Sequence, residues 1–194
     1  MPKARPELID AFIMETTNAI NTDGVTGVHI DKICEKIGVS KGSFYWYFKN
    51  KEELLIRVAT HFHQKVSNIT FHNLNQLNDP LERIREAIGI SLKALVENRI
   101  HREIWSLTFL YPELQNFLVK IHRERLDYIY RQFLLAKESG QIKGDIDLWS
   151  HSQLLVSFYE GAMFKWVINP SEQSSEEMQR LSDYVIQLFV NQVS

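Results

Sequence analysis

Gly38-Val39-Ser40-Lys41-Gly42-Ser43-Phe44-Tyr45-Trp46-Tyr47-Phe48-Lys49-Asn50-Lys51 is the stretch on which the reading of this chain turns. A helix-turn-helix needs a short first helix, a tight turn, and a second helix held from behind while its front enters a DNA groove. Gly38 can take the positive φ that the turn demands. Val39 can fill the space between the two helices, and Ser40 is a favoured N-cap. Ile30, Ile33, Ile37 and Phe44 recur so as to form the rear anchor, which leaves Lys41, Gly42, Ser43, Tyr45 and Tyr47 on the exposed side. Gly42 costs about 1 kcal/mol of helix propensity relative to Ala. A lysine followed by a residue without a side chain suits a place where backbone approaches DNA closely.

The charge distribution points the same way. The chain carries a formal net charge of −2, yet between Lys32 and Lys51 five lysines (Lys32, Lys36, Lys41, Lys49, Lys51) face a single acid, Glu35. That segment is positive and the rest of the chain is acidic. Local concentration is what matters for phosphate, because salt confines a charge's reach to about 8–10 Å.

Outward from this stretch, almost every segment has helical periodicity, and the fold class expected is all-α, with about nine helices. The first helix starts at Pro6, a favoured first-turn residue, and stops before Gly24. Short helices follow around Ile30–Ile37 and Lys41–Tyr47. A fourth opens near Lys51, with Leu55, Val58, Phe62 and Val66 at helical spacing, and ends in the polar stretch Asn73–Asn78. Asp79-Pro80-Leu81-Glu82 then combines an N-cap, a first-turn proline and an acid three residues on. Later helices are expected over Ile100 to Leu110, Pro112 to Gly140, Leu148 to Ile168, and from a Ser174/Glu177 capping box to about Val190. The domains implied are residues 1–50, joined by a helix at about 51–73, and 74–194.

Gly24 through Leu55 resembles the DNA-binding domain of the TetR family, the tetracycline-repressor-like regulators. The pattern Gly-Val-Ser-Lys-Gly-x-x-Tyr-x-Tyr-Phe-x-x-Lys-x-x-Leu is met by Gly38, Val39, Ser40, Lys41, Gly42, Tyr45, Tyr47, Phe48, Lys51 and Leu54. The resemblance implies an N-terminal three-helix DNA-binding domain followed by a larger helical domain for ligand binding and dimerisation. It implies phosphate or base contacts from Ser40, Lys41, Tyr45, Tyr47 and Lys51, with Gly42 and Ser43 nearest the base edges. Lys51 opens the fourth helix, where backbone amides also favour a phosphate. Phe48 reads as core, and Trp46 divides between backbone contact and packing. The family's usual Ser or Thr at the N-cap of the second helix is here His29, a poorer cap that can still donate to phosphate. Cys34 and Ile37 replace the family's small residues before the turn, and Cys34 reads as packing.

One recognition helix touches few base pairs, so such proteins pair to read two half-sites. Leu148 to Ile168 is apolar almost all round (Leu154, Leu155, Val156, Phe158, Tyr159, Ala162, Phe164), and the last helix adds Leu181, Val185 and Leu188. Together they suit a four-helix homodimer interface, with Leu154, Phe158, Gly161, Ala162, Leu181, Val185 and Leu188 across a two-fold axis. The family's logic adds a small-molecule effector in the second domain. Phe62, Trp105, Phe109, Tyr128, Phe158 and Trp166 are its candidate lining for an apolar or aromatic ligand.

The function expected is therefore a DNA-binding transcriptional regulator, a repressor released from a near-palindromic double-stranded operator by such a ligand. The rival is a helical small-molecule-binding protein without DNA activity, which would have no reason to gather lysines and aromatic rings around Gly38–Lys51. No phosphate loop, nucleophile elbow or zinc motif argues for an enzyme. His61 and His63, two apart on a helix, do not face each other, so no metal or other cofactor is expected. No apolar run reaches the roughly 18–20 residues of a membrane span. With a single cysteine and no secretory leader, the expected compartment is the cytoplasm.

Overall fold

The computed structural model describes residues 5–74, 76–97, 99–108, 110–169 and 175–191, and among them every regular element is helical. The order is α1 Pro6–Asp23, a 3-10 turn Val25–Gly27, α2 Ile30–Ile37, α3 Lys41–Tyr47, α4 Lys51–Leu74 and α5 Pro80–Glu97. Then come α6 Arg99–Thr108, α7 Pro112–Glu138, α8 Leu148–Ile168 and α9 Ser175–Ile186, the last continued by a π-helical stretch Gln187–Asn191.

The boundaries follow from local chemistry. Pro6 and Pro112 occupy first-turn positions of α1 and α7, where a missing N–H costs nothing. Asp79 Oδ1 accepts from Leu81 N at 2.7 Å and Glu82 N at 3.2 Å. Asp147 caps α8 through Trp149 N and Ser150 N, both at 3.1 Å. At α4, Asn50 Oδ1 accepts from Glu53 N while Glu53 Oε2 accepts from Lys49 N, both at 2.9 Å. That is a reciprocal box of the kind that satisfies orphan donors at a helix start. The sixth helix begins and ends earlier than its apolar pattern suggests, at Arg99 and Thr108. The expected cap Ser174 lies outside the described residues.

Two hydrophobic clusters hold the chain. The first gathers Phe12, Ile20, Ile33, Cys34, Phe44, Phe48, Leu54 and Leu55 from α1 to α4, and also takes Ile100, Ile104 and Leu107 from α6 and Leu114 from α7. The second joins α5, α7, α8 and α9 around Ile84, Leu92, Ile129, Phe133, Leu155 and Val185. Since α6 belongs to the first cluster while its Trp105 packs on the second, the two are mechanically continuous.

Polar bonds fasten the same junction. Arg99 Nη1 donates to Thr22 O at 2.8 Å, Ile100 N to Asn21 Oδ1 at 3.1 Å, and Val25 N to Glu103 Oε2 at 3.4 Å. The start of α6 is thus seated on the end of α1 and the 3-10 turn that leads into α2. No helix among the described residues is long and apolar enough to cross a membrane.

Candidate nucleic-acid interface and ligand cavity

Gly38 closes α2 in the left-handed region, at φ 76° and ψ 33°. Its N–H reaches Glu35 O at 3.1 Å, and Val39 N reaches Cys34 O at 2.9 Å, satisfying carbonyls that the helix end would leave orphaned. Two residues later Ser40 Oγ accepts from Ser43 N at 3.2 Å and starts α3. The turn between α2 and α3 is therefore set by a glycine and a cap.

Behind α3, Phe44 is fully buried. Its ring centroid lies 5.7 Å from that of Phe12 and 5.4 Å from that of Phe48. Ile33 and Cys34 are buried with it, while Ile30 and Ile37 pack at the margin. This anchor turns the next two rings outward: Tyr45 and Trp46 are 55% and 52% exposed. Tyr47 is half-buried, and its hydroxyl accepts from Arg5 N at 3.3 Å. Phe48 is core. A Cβ on Gly42 would meet only Ser40 Oγ, at 3.6 Å, so nothing within the chain requires glycine there.

The cations around this face differ in how they are held. Lys41 is exposed, its Nζ 2.9 Å from Asp31 Oδ1, and the bond to Asp31 keeps its amine above the ordinary lysine range. Lys51 is half-buried, donates from Nζ to Val25 O at 3.3 Å, and has its pKa lowered by that burial. His29 precedes α2 with an exposed side chain that makes no cap bond. Lys32 and Lys49 are exposed, and Lys36 Nζ stands 3.8 Å from Glu15.

In the second half of the molecule, a cavity of about 110 Å³ opens between α4, α5, α7 and α8. Its polar lining comprises His63, Ser67, Thr70, Ser91, Glu124, Arg125, Tyr128 and Tyr159. A narrower apolar arm of about 50 Å³ continues past Ile88, Ile129, Leu155 and Val156, and a cleft on the other side reaches Phe62, Trp105 and Phe117. Of the expected lining, Phe62, Trp105 and Tyr128 border this space. Phe158 packs against the second core cluster, with its ring 6.1 Å from that of Phe189. Phe109 and the side chain of Trp166 lie outside the described residues.

Arg125 donates from Nη1 to Glu160 Oε1 at 2.9 Å, and its guanidinium carbon sits 4.7 Å from the centroid of the Tyr159 ring. His122 Nδ1 is 3.0 Å from both oxygens of the same glutamate. Burial, helped by the positive charges of Arg125 and Lys120, pushes His63 down to about 4, so its imidazole is neutral. Burial likewise raises the Tyr159 phenol, whose hydroxyl bonds the Ser91 side chain. The polar members His63, Ser91 and Arg125 were not signalled by the aromatic spacing that pointed to Tyr128.

On the far side, α8 and α9 present an apolar face. Leu154, Phe164, Ile168 and Tyr184 are 60%, 45%, 65% and 54% exposed. Gly161 lies on this face with open space where a Cβ would stand. Ala162, Leu181 and Leu188 are half-buried. Val185, expected at a subunit interface, instead lies 2% exposed in the protomer's own core, because the apolar stripe of α9 packs inward against α5.

Comparison with known proteins agrees with this architecture. Residues 13–58 match the family model of bacterial regulatory proteins, tetR family. A relative in Escherichia coli (strain K12), described as a probable acrEF/envCD operon repressor, is 23% identical over 198 residues, covering 97% of this chain and 87% of its own. A TetR transcription regulator from Haloarcula marismortui superposes with a TM-score of 0.83 at 15% identity, covering 97% of this chain and 99% of that one. The Bacillus subtilis transcriptional regulator FadR, solved in complex with stearoyl-CoA, superposes with a TM-score of 0.71 at 21% identity over 95% of this chain and 99% of that one. The helix-turn-helix lies inside the segment that matches the tetR family model, and the described residues share the all-helical fold of the solved TetR regulators, so the chain carries a tetR-type DNA-binding region at the head of a TetR-like fold.

Proposed function

We propose that this chain works as a homodimeric repressor in the cytoplasm, holding a near-palindromic double-stranded operator until a small molecule enters the cavity between α4, α5, α7 and α8. The observation that carries the reading is the outward face of α3. Two large aromatic rings and a lysine stand exposed on a seven-residue helix whose back is pinned by a buried phenylalanine. Exposed rings beside a cation suit contact with sugar and phosphate, with Gly42 and Ser43 nearest the base edges in the major groove. Ser40, Lys41, Tyr45, Trp46 and Tyr47 are assigned to this contact, with His29 and Lys51 at its borders. Lys51 can keep its bond to Val25 O and still offer the other two N–H donors of its ammonium group to a phosphate.

Release requires that the ligand bind the non-DNA-binding state better than the DNA-binding one. The seat of α6 on the end of α1 offers a path, since a cavity that pushes on α4 or on Trp105 strains the element that leads into α2. The repressor named in Escherichia coli and the acyl thioester bound by the Bacillus FadR support repression and a ligand with a large apolar part. The mechanism is one of binding and release, with no catalytic step.

The test is an electrophoretic mobility shift with the intergenic DNA beside the protein's own gene, at low and then physiological salt. A retarded band that competitor DNA of unrelated sequence does not remove is expected. Absence of any band at low salt overturns the DNA assignment and leaves a ligand-binding protein without DNA activity. If the band forms, small-molecule extracts that dissolve it test the effector half of the proposal separately.

A further inference from the structure

Taking the cavity as the effector site, as proposed above, we infer that its occupant is an amphipathic anion, with one anionic group held by Arg125 and an apolar body lying along Ile88, Ile129, Leu155 and Val156. Arg125 borders the main cavity, its apolar arm and the cleft toward Phe62 alike, so a molecule entering any of them meets this side chain. A guanidinium carries five N–H donors in a fixed fork. Nη1 is engaged by Glu160 and one face of the group by the Tyr159 ring, while Nε and Nη2 donate to no other described residue. A purely apolar ligand would strip water from those donors and give nothing back, which is costly for a charged group. A carboxylate, or another oxyanion, can accept from the fork directly.

Wall by wall, Arg125 is the cation that borders the cavity, and the acids near it are already paired. From α4, His63 is neutral, its Nδ1 3.4 Å from Ser67 Oγ. It has no acid near enough to hold it protonated, and Arg125 and Lys120 of α7 both disfavour its charged form. From α5, the lining is Ala87, Ile88 and Ser91, without a carboxylate. From α8, Glu160 is already bound by Arg125 and His122. From α7, Glu124 is 55% exposed and stands 3.7 Å from Lys120, so its charge is countered and screened. A cationic ligand would therefore meet Arg125, with Glu160 already engaged and only the solvent-exposed Glu124 to receive it. The apolar arm next to the same guanidinium gives the rest of the molecule its place.

The experiment titrates the full-length protein calorimetrically with three probes of equal chain length: decanoate, decan-1-ol and decylammonium. Decanoate is expected to bind at least about tenfold more tightly than the alcohol, the size of one charge-assisted contact, with the ammonium weakest. Arg125→Gln should bring decanoate down to the level of the alcohol, and Arg125→Lys should fall between. Helical circular dichroism and the thermal midpoint establish that each variant is folded, and the wild-type series stands without them. Equal or better binding of the alcohol or the ammonium by the wild-type protein overturns the anion assignment and leaves the effector cavity intact. Binding of none of the three also overturns it, and the release assay on operator DNA then judges the cavity by itself.

Discussion

Gly24 and Gly38 both take a positive φ, Gly24 with ψ 178° and Gly38 with ψ 33°, and they differ also in what surrounds them. A Cβ at Gly38 meets nothing within 4 Å, whereas at Gly24 it would stand 2.5 Å from Arg99 Nη2 and 2.8 Å from Glu103 Oε1. Gly38→Ala should therefore cost only the conformational term, about 1–2 kcal/mol. Gly24→Ala should cost more, about 2–4 kcal/mol, because Arg99 must also leave Thr22 O. Urea unfolding of the two variants checks the order, and a Gly38→Ala cost equal to or above that of Gly24→Ala would contradict it. His63 gives a second expectation at this scale. Its folded pKa of about 4 lies below the ordinary 6.5, so between those values the unfolded chain binds more protons and stability falls as pH falls. The loss begins near pH 6.5 and is complete near pH 4. Allowing for partial solvent access to the ring, it should amount to about 1–2 kcal/mol. Urea unfolding at pH 7 and pH 4.5 should show a shallower loss for His63→Gln than for the wild type, and parallel losses would rule His63 out.

At the scale of the element, α3 separates folding from recognition. Ser40 is both its cap and a proposed DNA neighbour, while among the described residues Lys41 bonds only Asp31. Ser40→Ala should cost about 1 kcal/mol of stability and weaken operator binding with little change in its salt dependence. Lys41→Ala should leave unfolding nearly unchanged and lower the slope of log affinity against log salt by about one. If both variants change the slope equally, the division of roles between them is wrong. This element was readable in sequence because its boundaries are set locally: Gly38 and Ser40 act on neighbours within a few residues, and Phe44 marks the buried side of α3 by its spacing. The Asn50/Glu53 box was equally local and could have been found from its spacing. The cavity is a different kind of object. Arg125 meets Glu160 at a separation of 35 residues, and no local pattern announces that pairing. Aromatic spacing cannot tell a residue that borders a cavity, such as Tyr128, from one that fills core, such as Phe158. Val185 shows the same limit, since an apolar stripe on the last helix records that it is covered and not by which chain.

For the whole molecule, the question is what covers the α8–α9 face. Leu154, Phe164, Ile168 and Tyr184 stand on it exposed, with Trp149 at 41% nearby. A contiguous apolar face of this kind marks a contact surface, and in a chain proposed to read a near-palindrome the natural occupant is a second copy across a two-fold axis. In that arrangement Gly161 lets two copies of α8 approach closely, which would account for a glycine that nothing within one chain requires. The double variant Leu154→Glu with Ile168→Glu tests this without touching the protomer's core, since both side chains already face solvent. Across a two-fold axis the same face meets itself, so the four new carboxylates share one interface and repulsion adds to lost apolar burial. Sedimentation should show the wild type at twice the chain mass and the variant at 22.8 kDa, with helical content unchanged. Operator affinity should fall together with dimerisation, because each half-site is then bound separately and the gain from linking two heads is lost. A variant that stays dimeric removes this face from the interface. One that becomes monomeric yet binds operator as tightly as the wild type separates DNA recognition from pairing.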